Sequence, residues 1–354
     1  MRDPAPFPAR FDLTSTEAPF APMEAQSVSK LPQDEGWQFE PKWDGFRCLA
    51  VKAGSIVHLF AKSGKPLGRY FPDVLAAVAE IAASEFVLDG ELVIPVGETL
   101  SFDALQLRLH PAESRVRKLA AETPAALVAF DLPVAPGNRP LLDRPLPERR
   151  AALEKLLAQP PDGIALSPFT RDRGRALHWL DGVGAALDGV VAKRLEAPYQ
   201  PGERAMLKVK RIRTADCVVG GFRYGTNSKE VGSLLLGLYD DDGRLDHVGF
   251  TSGIPAGERK QLTKRLETLA GGSGFTGRAP GGPSRWSTER TGEYVALRHE
   301  LVVEVEFDQV TGNRFRHGTR FLRWRPDKAP AQCTFAQLAP EIPPREVLKA
   351  VLGN

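Results

Sequence analysis

Residues 37 to 61, WQFEPKWDGFRCLAVKAGSIVHLFA, constrain the fold more than any other stretch. Runs with strand character, Trp37 to Glu40 and Phe46 to Val51, flank a Lys-Trp-Asp-Gly tetrapeptide. The turn at Ala53-Gly54-Ser55 then sends the chain into IVHLFA as a hairpin partner. Turn-joined strands of this length build antiparallel sheet, and the Gly-rich strand-to-helix turn of a Rossmann fold occurs nowhere in the chain. Lys42 falls near a strand end, where a side chain can face a cavity, and Asp44, Gly45 and Arg47 set a carboxylate, a permissive backbone and a guanidinium beside it. A surface lysine needs no such company.

Beyond this hairpin the chain mixes helices with strands. FPDVLAAVAEIAAS reads as a helix, with Pro72 suited to its first turn and Leu75, Val78, Ile81 and Ala82 on one face. EFVLDGELVIP carries an acidic centre between apolar flanks, and AALVAFDLP at 125 to 133 is an apolar strand followed by the helix PERRAALEKLLAQ. A short run at 163 to 169, a helix around Arg175 to Leu187, and the strands DGVVAKRLE and AMLKVKR complete this region. The pattern predicts an α+β domain with antiparallel sheets over residues 31–213, preceded by a Pro- and Ala-rich extended lead-in over 1–30 that lies across the surface. From about Thr214 the texture changes to short β-rich runs (CVVGGFRYG, GSLLLGLYD, RLDHVGFTSG, LVVEVEFDQV), one helix (AGERKQLTKRLETLA) and a Gly/Pro-rich loop from Gly271 to Ser284. A small Greek-key β-barrel of the OB-fold type with a C-terminal tail is expected over 214–354.

With 354 residues the chain is long enough for both cores. No apolar run approaches a membrane span, and the start MRDPAPFPARFDL lacks the apolar segment of a secretory signal, which points to the cytoplasm and away from membranes. Cys48, Cys217 and Cys333 lie too far apart for a zinc knuckle. A net charge of +3 does not announce nucleic acid, and local clusters say more. Lys208, Lys210, Arg211 and Arg213 are close together, and Arg314 to Lys328 holds six Lys or Arg against the single acid Asp327. Interleaved apolar residues suggest strands with a basic face, which is either a nucleic-acid surface or merely solvated.

One Lys-x-Asp-Gly tetrapeptide recurs by chance; an ordered series does not. LDGEL gives Glu91, FDL gives Phe130, DGVVAK gives Asp188 and Lys193, LKVK gives Lys208 and Lys210, and RWRPDK gives Arg325, Asp327 and Lys328. This series resembles the covalent nucleotidyltransferase superfamily and within it the minimal two-domain bacterial ATP-dependent DNA ligases, over roughly residues 35 to 330. The resemblance implies that Lys42 attacks the α-phosphate of ATP to form a lysyl-AMP phosphoramidate, that AMP passes to the 5′-phosphate of a nick, and that the 3′-hydroxyl displaces it. A lysine does this only when neutral, so a reference pKa of ~10.4 must fall by about three units, roughly 4 kcal/mol of destabilised ammonium. Burial, Lys193, Lys208, Lys210, Arg47 and a divalent ion, Mg²⁺ or Mn²⁺, are the sources available.

The same resemblance implies further roles: Glu40 with its backbone on adenine, Phe130 stacked on it, Arg47 and Glu91 at the ribose, Lys193 as the nucleotide-binding lysine of the fourth motif, and Lys208 and Lys210 gripping the α-phosphate. It places Asp188 and Glu91 at the metal and Arg325, Asp327 and Lys328 on the pyrophosphate when the second domain closes. Plainer roles exist for several. Phe130 sits in the apolar run ALVAF of an ordinary core strand, Glu91 could cap a turn, Asp188 could end a helix, and Asp44 could serve only its turn. Two residues depart from the family pattern. Asp188 stands where most relatives carry Glu, so a bridging water is expected at the metal. Lys62 in FAKSGK stands where an Arg grips the 5′-phosphate, with Arg69 shortly after it as a candidate substitute. The partner expected is nicked duplex DNA, met by a monomer that a repair-pathway protein helps to retain. An RNA ligase or GTP-dependent capping enzyme would use the same lysine, and a non-catalytic nucleic-acid-binding protein could keep the same domains.

Overall fold

The computed structural model describes residues 7–97, 99–181, 187–281, 293–338 and 347–349. The chain divides into one unit of residues 1–211 with 341–354 and another of 212–340. No described helix is long and apolar enough to cross a membrane.

In the first unit the strands are β1 (Ala25–Ser27), β2 (Trp37–Trp43), β3 (Phe46–Ala53), β4 (Ile56–Ala61), β5 (Glu85–Val93), β6 (Pro95–Val96), β7 (Thr99–Leu100), β8 (Ala126–Ala135), β9 (Arg139–Pro140), β10 (Ile164–Leu166), β11 (Leu187–Arg194) and β12 (Met206–Val209). Its helices are α1 (Pro72–Glu80), α2 (Phe102–Arg108), α3 (Glu113–Glu122), α4 (Leu146–Leu156) and α5 (Arg173–Asp181). One sheet runs β1-β12-β11-β2 and another β10-β8-β5-β3-β4, antiparallel except that β1 pairs β12 and β10 pairs β8 in parallel. The Asp44-Gly45 turn therefore carries the chain from one sheet to the other. A Cβ at Gly45 would come within 2.1 Å of the Leu92 carbonyl oxygen, so only glycine lets β3 start that close to β5.

Every residue of β8 is buried, because the larger sheet is covered on both faces. Cys48, Ala50, Leu88, Leu92, Leu127 and Ala129 face the core that includes Val74, Val78 and Leu153. On the opposite face Val93, Val128 and Phe130 meet Phe39, Trp43 and Val190 of the smaller sheet. The two sheets thus share a core, and a cleft opens where that core ends.

Several expectations shift. In α1 the buried stripe is Val74, Ala77 and Val78; the helix ends at Glu80 with Ile81 extended, so Ala82 leaves the face and Leu75 is half-buried beside Gly68. Helices α2 and α3 add to those expected. The helix expected around Arg175 to Leu187 stops at Asp181, residues 182–186 lie outside the described residues, and Leu187 opens β11. The lead-in does not lie wholly on the surface: Leu13 and Met23 are buried with Leu49, Val51 and Phe60, and β1 adds a strand to the smaller sheet.

The second unit holds β13 (Arg213–Tyr224), β14 (Val231–Tyr239), β15 (Leu245–Thr251), α6 (Ala256–Glu267), β16 (Val295–Ala296), β17 (Val302–Phe307), β18 (Val310–Thr311), β19 (Arg314–Phe315) and β20 (Arg320–Trp324). Its antiparallel sheet runs β15-β14-β13-β17-β20. Among the described residues this sheet does not close as a continuous ladder. The edges meet at a single bridge between Thr251 and Thr319, where Thr319 N–H donates to the Phe250 carbonyl at 3.1 Å. The expected Gly/Pro-rich loop is described only to residue 281, and most of the tail lies outside the described residues.

Candidate active site

A cleft of about 190 Å³ opens in the first unit. Its lining brings together residues far apart in sequence: Glu40 and Lys42 on β2, Arg47 on β3, Glu91 on β5, Phe130 on β8, Lys193 on β11 and Lys208 on β12, with Lys62 at one wall. Pro22 to Ala25, from the lead-in, forms another wall that sequence reasoning did not assign.

Strand alternation sets the row Gln38, Glu40, Lys42 on one face of β2. Lys42 lies at the half-buried end, its Nζ 2.6 Å from Asp188. Asp188 reaches it through a register shift between Leu187 and Gly189, which leaves Asp188 as the extra residue opposite Trp43 and Lys42. Lys210 Nζ stands 3.0 Å from the same Asp188 carboxylate. Burial works against the Asp188 charge, but Lys42 and Lys210 outweigh it and hold this carboxyl below the usual range. Lys208 is shifted downward, first by burial and then by Lys42, Lys210 and Lys62.

Deeper in the cleft Glu40 is buried with both oxygens engaged: Lys193 Nζ lies 2.8 Å from one, and Gln38 Nε2 donates to the other at 2.8 Å. Lys193 Nζ also stands 4.8 Å from the Phe130 ring centroid. Beneath this pair, Asp131 receives Arg149 at 2.8 and 3.1 Å. Phe130 is buried among Val93, Val128 and Phe39 and also lines the cleft.

Arg47 donates from Nε and Nη2 to the two oxygens of Asp89, each at 2.6 Å, and its guanidinium carbon stands 4.6 Å from the Phe130 centroid. Burial opposes its charge, but Asp89 keeps its pKa above the ordinary arginine value. Glu91 is pushed up to about 7 by burial, against the pull of Lys42 and Arg47. Among the described residues no group of three His, Cys, Asp or Glu is arranged to hold a metal alone.

Lys62 lines the cleft but pairs with Glu24 at 2.8 Å. Arg69 does not join it. That guanidinium donates to the Pro111 carbonyl at 3.0 Å and borders a separate hollow with Leu75, Glu113 and Arg117, so its substitution for Lys62 has no geometric support. Sequence reasoning also missed Asp89 as the partner of Arg47, Tyr199 behind it, and the Asp131–Arg149 pair; Asp89, inside LDGEL, and Asp131, inside FDL, lie within motifs that could have pointed to them.

In the second unit Arg325 donates to Asp216 at 2.8 Å and to Asp327 at 2.8 Å, and Lys328 stands 3.5 Å from Asp216. The expected basic face of β20 is locally neutralised: Arg323 pairs with Glu304 at 2.6 Å and Arg320 with Glu306, both acids on β17.

The chain resembles known proteins along most of its length. Residues 22–210 match the ATP dependent DNA ligase domain and residues 227–328 the ATP dependent DNA ligase C terminal region. The chain is 46% identical over 336 residues to DNA ligase C2 of Mycolicibacterium smegmatis, covering 90% of this chain and 94% of that protein. It is 43% identical to DNA ligase C of Mycobacterium tuberculosis, again over 90% and 94% of the two chains. A solved Lig E DNA ligase structure shares the fold, with a TM-score of 0.53 at 19% identity over 86% of this chain and 99% of that one. A cleft built from the ordered lysine, carboxylate and arginine motifs, and matches to both family regions along the chain, place this protein in the ATP-dependent DNA ligase family.

Proposed function

We propose that this DNA ligase works through Lys42, which takes AMP from ATP and delivers it to the 5′-phosphate of nicked duplex DNA. The carrying observation is the convergence of Glu40, Lys42, Arg47, Glu91, Phe130, Lys193 and Lys208 on one cleft. The lone pair of Lys42 Nζ attacks the α-phosphorus, a nitrogen–phosphorus bond forms, and the bond to pyrophosphate breaks. A nick 5′-phosphate oxygen then attacks the same phosphorus and frees the amine, and the 3′-hydroxyl expels AMP as the strand is sealed. Each step is a displacement at charged phosphorus, so positioning and fixed cations supply most of the catalysis.

The residues divide the work by place. Glu40, Lys193 and Phe130 form the deep end and suit a base; Arg47 and Glu91 suit the ribose; Lys208 and Lys210 beside Lys42 suit the α-phosphate, and Lys62 the nick phosphate. Lys42 cannot attack while it gives a proton to Asp188, so that ion pair must part before the first step. Asp188 and Glu91 are hard oxygen donors of the kind that hold Mg²⁺ or Mn²⁺ together with nucleotide phosphates and water, and the lack of a self-sufficient ligand cluster among the described residues suits an ion that arrives with ATP. Such an ion would neutralise phosphate charge. Arg325, Asp327 and Lys328 are assigned to the pyrophosphate of the first step.

The test uses ATP labelled at the α-phosphate with a divalent ion, followed by denaturing electrophoresis. Wild-type protein is expected to carry label that a nicked duplex chases into DNA, while Lys42→Ala carries none. Label retained in Lys42→Ala overturns the assignment.

A further inference from the structure

Behind the Arg47 end of the cleft runs a closed ring of buried hydrogen bonds that the adenylylation and sealing steps leave unused. Tyr199, in the segment between β11 and β12, is only 1% exposed. Its hydroxyl donates to Asp89 at 2.6 Å and accepts the backbone N–H of Met23 at 3.0 Å. Asp89, fully buried, takes both arms of Arg47, and Arg47 Nη2 donates onward to the Met23 carbonyl at 3.1 Å. The ring therefore passes from Tyr199 to Asp89, Arg47, Met23 and back to Tyr199. It joins the lead-in wall of the cleft to the Arg47 guanidinium, which lies against Phe130. Burial, then Asp89, keeps the Tyr199 phenol well above its ordinary pKa, so it stays a donor.

A carboxylate offers about four acceptor positions. Arg47 uses two on Asp89. The phenol supplies a third donor from another direction, and the Met23 N–H fixes where that phenol points. Removing the hydroxyl would leave the Met23 N–H unpaired in a buried place, and such a group is costly enough to force local rearrangement. Pro22 to Ala25 and Arg47 would both lose their fixed setting.

We propose that Tyr199 is a positioning residue for sugar recognition: its hydroxyl locks Asp89 and Met23 so that Arg47 presents one fixed donor face to the ribose of ATP. The proposal rests on the assignment of Arg47 to the ribose. Tyr199 itself touches no substrate and acts only through Arg47 and Met23.

The test measures kcat and KM for enzyme adenylylation with ATP, 2′-deoxy-ATP and 3′-deoxy-ATP in the wild type, Tyr199→Phe and Arg47→Met. Tyr199→Phe is expected to raise the KM for ATP more than it lowers kcat. It should also cut the preference for ATP over the deoxy analogue that the wild type disfavours, by roughly threefold to tenfold, the scale of one weakened hydrogen bond. A merely structural loss would lower activity on all the nucleotides alike and leave the preference untouched, which overturns the proposal. If the preference collapses in Arg47→Met and persists in Tyr199→Phe, Tyr199 has no positioning role while the Arg47 assignment survives. If it persists in both, Arg47 does not read the ribose and the proposal falls with that assignment. Should Tyr199→Phe fail to fold, Met23→Pro, which removes the N–H that the phenol accepts, is expected to lower the same preference, and an unchanged preference there overturns the proposal.

Discussion

At the scale of single residues, the buried pair of Lys193 and Glu40 carries both the deep end of the cleft and part of the stability of the first unit. Their side chains are 4% and 3% exposed, so neither charge has water to fall back on. Desolvating such a pair offsets most of its attraction, yet removing one partner strands the other at a cost of about 3–5 kcal/mol. Lys193→Met is therefore expected to lower unfolding free energy by about that amount, read from the urea midpoint at constant slope, and to abolish covalent labelling from ATP. A variant as stable as wild type would show that the bond Gln38 already gives Glu40 at 2.8 Å is enough to keep that carboxylate satisfied. The lysine and the glutamate were both legible in sequence because each belongs to a motif. Their pairing was not, nor was the bond between Arg47 and Asp89 across 42 positions or between Tyr199 and Asp89 across 110. Register decides such partners, and register follows from which sheet each strand joins.

At the scale of elements, the decisive device is the irregularity in β11 at Asp188 and Gly189. Gly189 has φ of +145°, and a Cβ there would approach the Val209 carbonyl oxygen to 2.0 Å. Only glycine lets β11 pass this close to β12, and the same irregularity turns the preceding Asp188 toward Lys42. Gly189→Ala should cost about 1–3 kcal/mol in backbone strain and should reduce enzyme adenylylation beyond what that instability explains, because Asp188 loses its aim. The check is labelling at a temperature where circular dichroism shows the variant fully folded; wild-type labelling there would mean that Asp188 placement does not matter. The sequence offers Asp188 a metal role or a helix end with Asp188-Gly189 as a turn, and neither reading shows that Gly189 lets two strands approach. Long apolar strands such as β8 were plain from composition. Helices α2 and α3 escaped notice because no long apolar stripe marks them: Leu105 and Arg108 are the buried residues of α2, and Val116 the buried residue of α3. The buried Arg108, which pairs with Asp73, reads as solvent-facing in any hydropathy pattern.

At the scale of the whole molecule, the residues of the proposed reaction fall on different units. The first unit holds Lys42 and the cleft around it, while RWRPDK belongs to the second and is engaged there with Asp216. If this motif serves pyrophosphate departure, its loss should slow only the first chemical step; if it serves the DNA backbone, every step on DNA should suffer. Lys328 separates these cases better than Arg325. Asp216 is 8% exposed and draws its close donor from Arg325 at 2.8 Å, so Arg325→Ala would strand a buried carboxylate and confound chemistry with stability. Lys328 stands at 3.5 Å and leaves that bond intact when truncated. Lys328→Ala is therefore expected to keep wild-type stability within about 0.5 kcal/mol, to lower the rate of lysyl-AMP formation by about tenfold or more, and to seal a nick already carrying 5′-AMP at the wild-type rate. Equal losses on ATP and on the pre-adenylylated nick would move the motif from pyrophosphate to DNA. The change in the salt dependence of nick binding on Lys328→Ala would then report the phosphate contact that Lys328 makes.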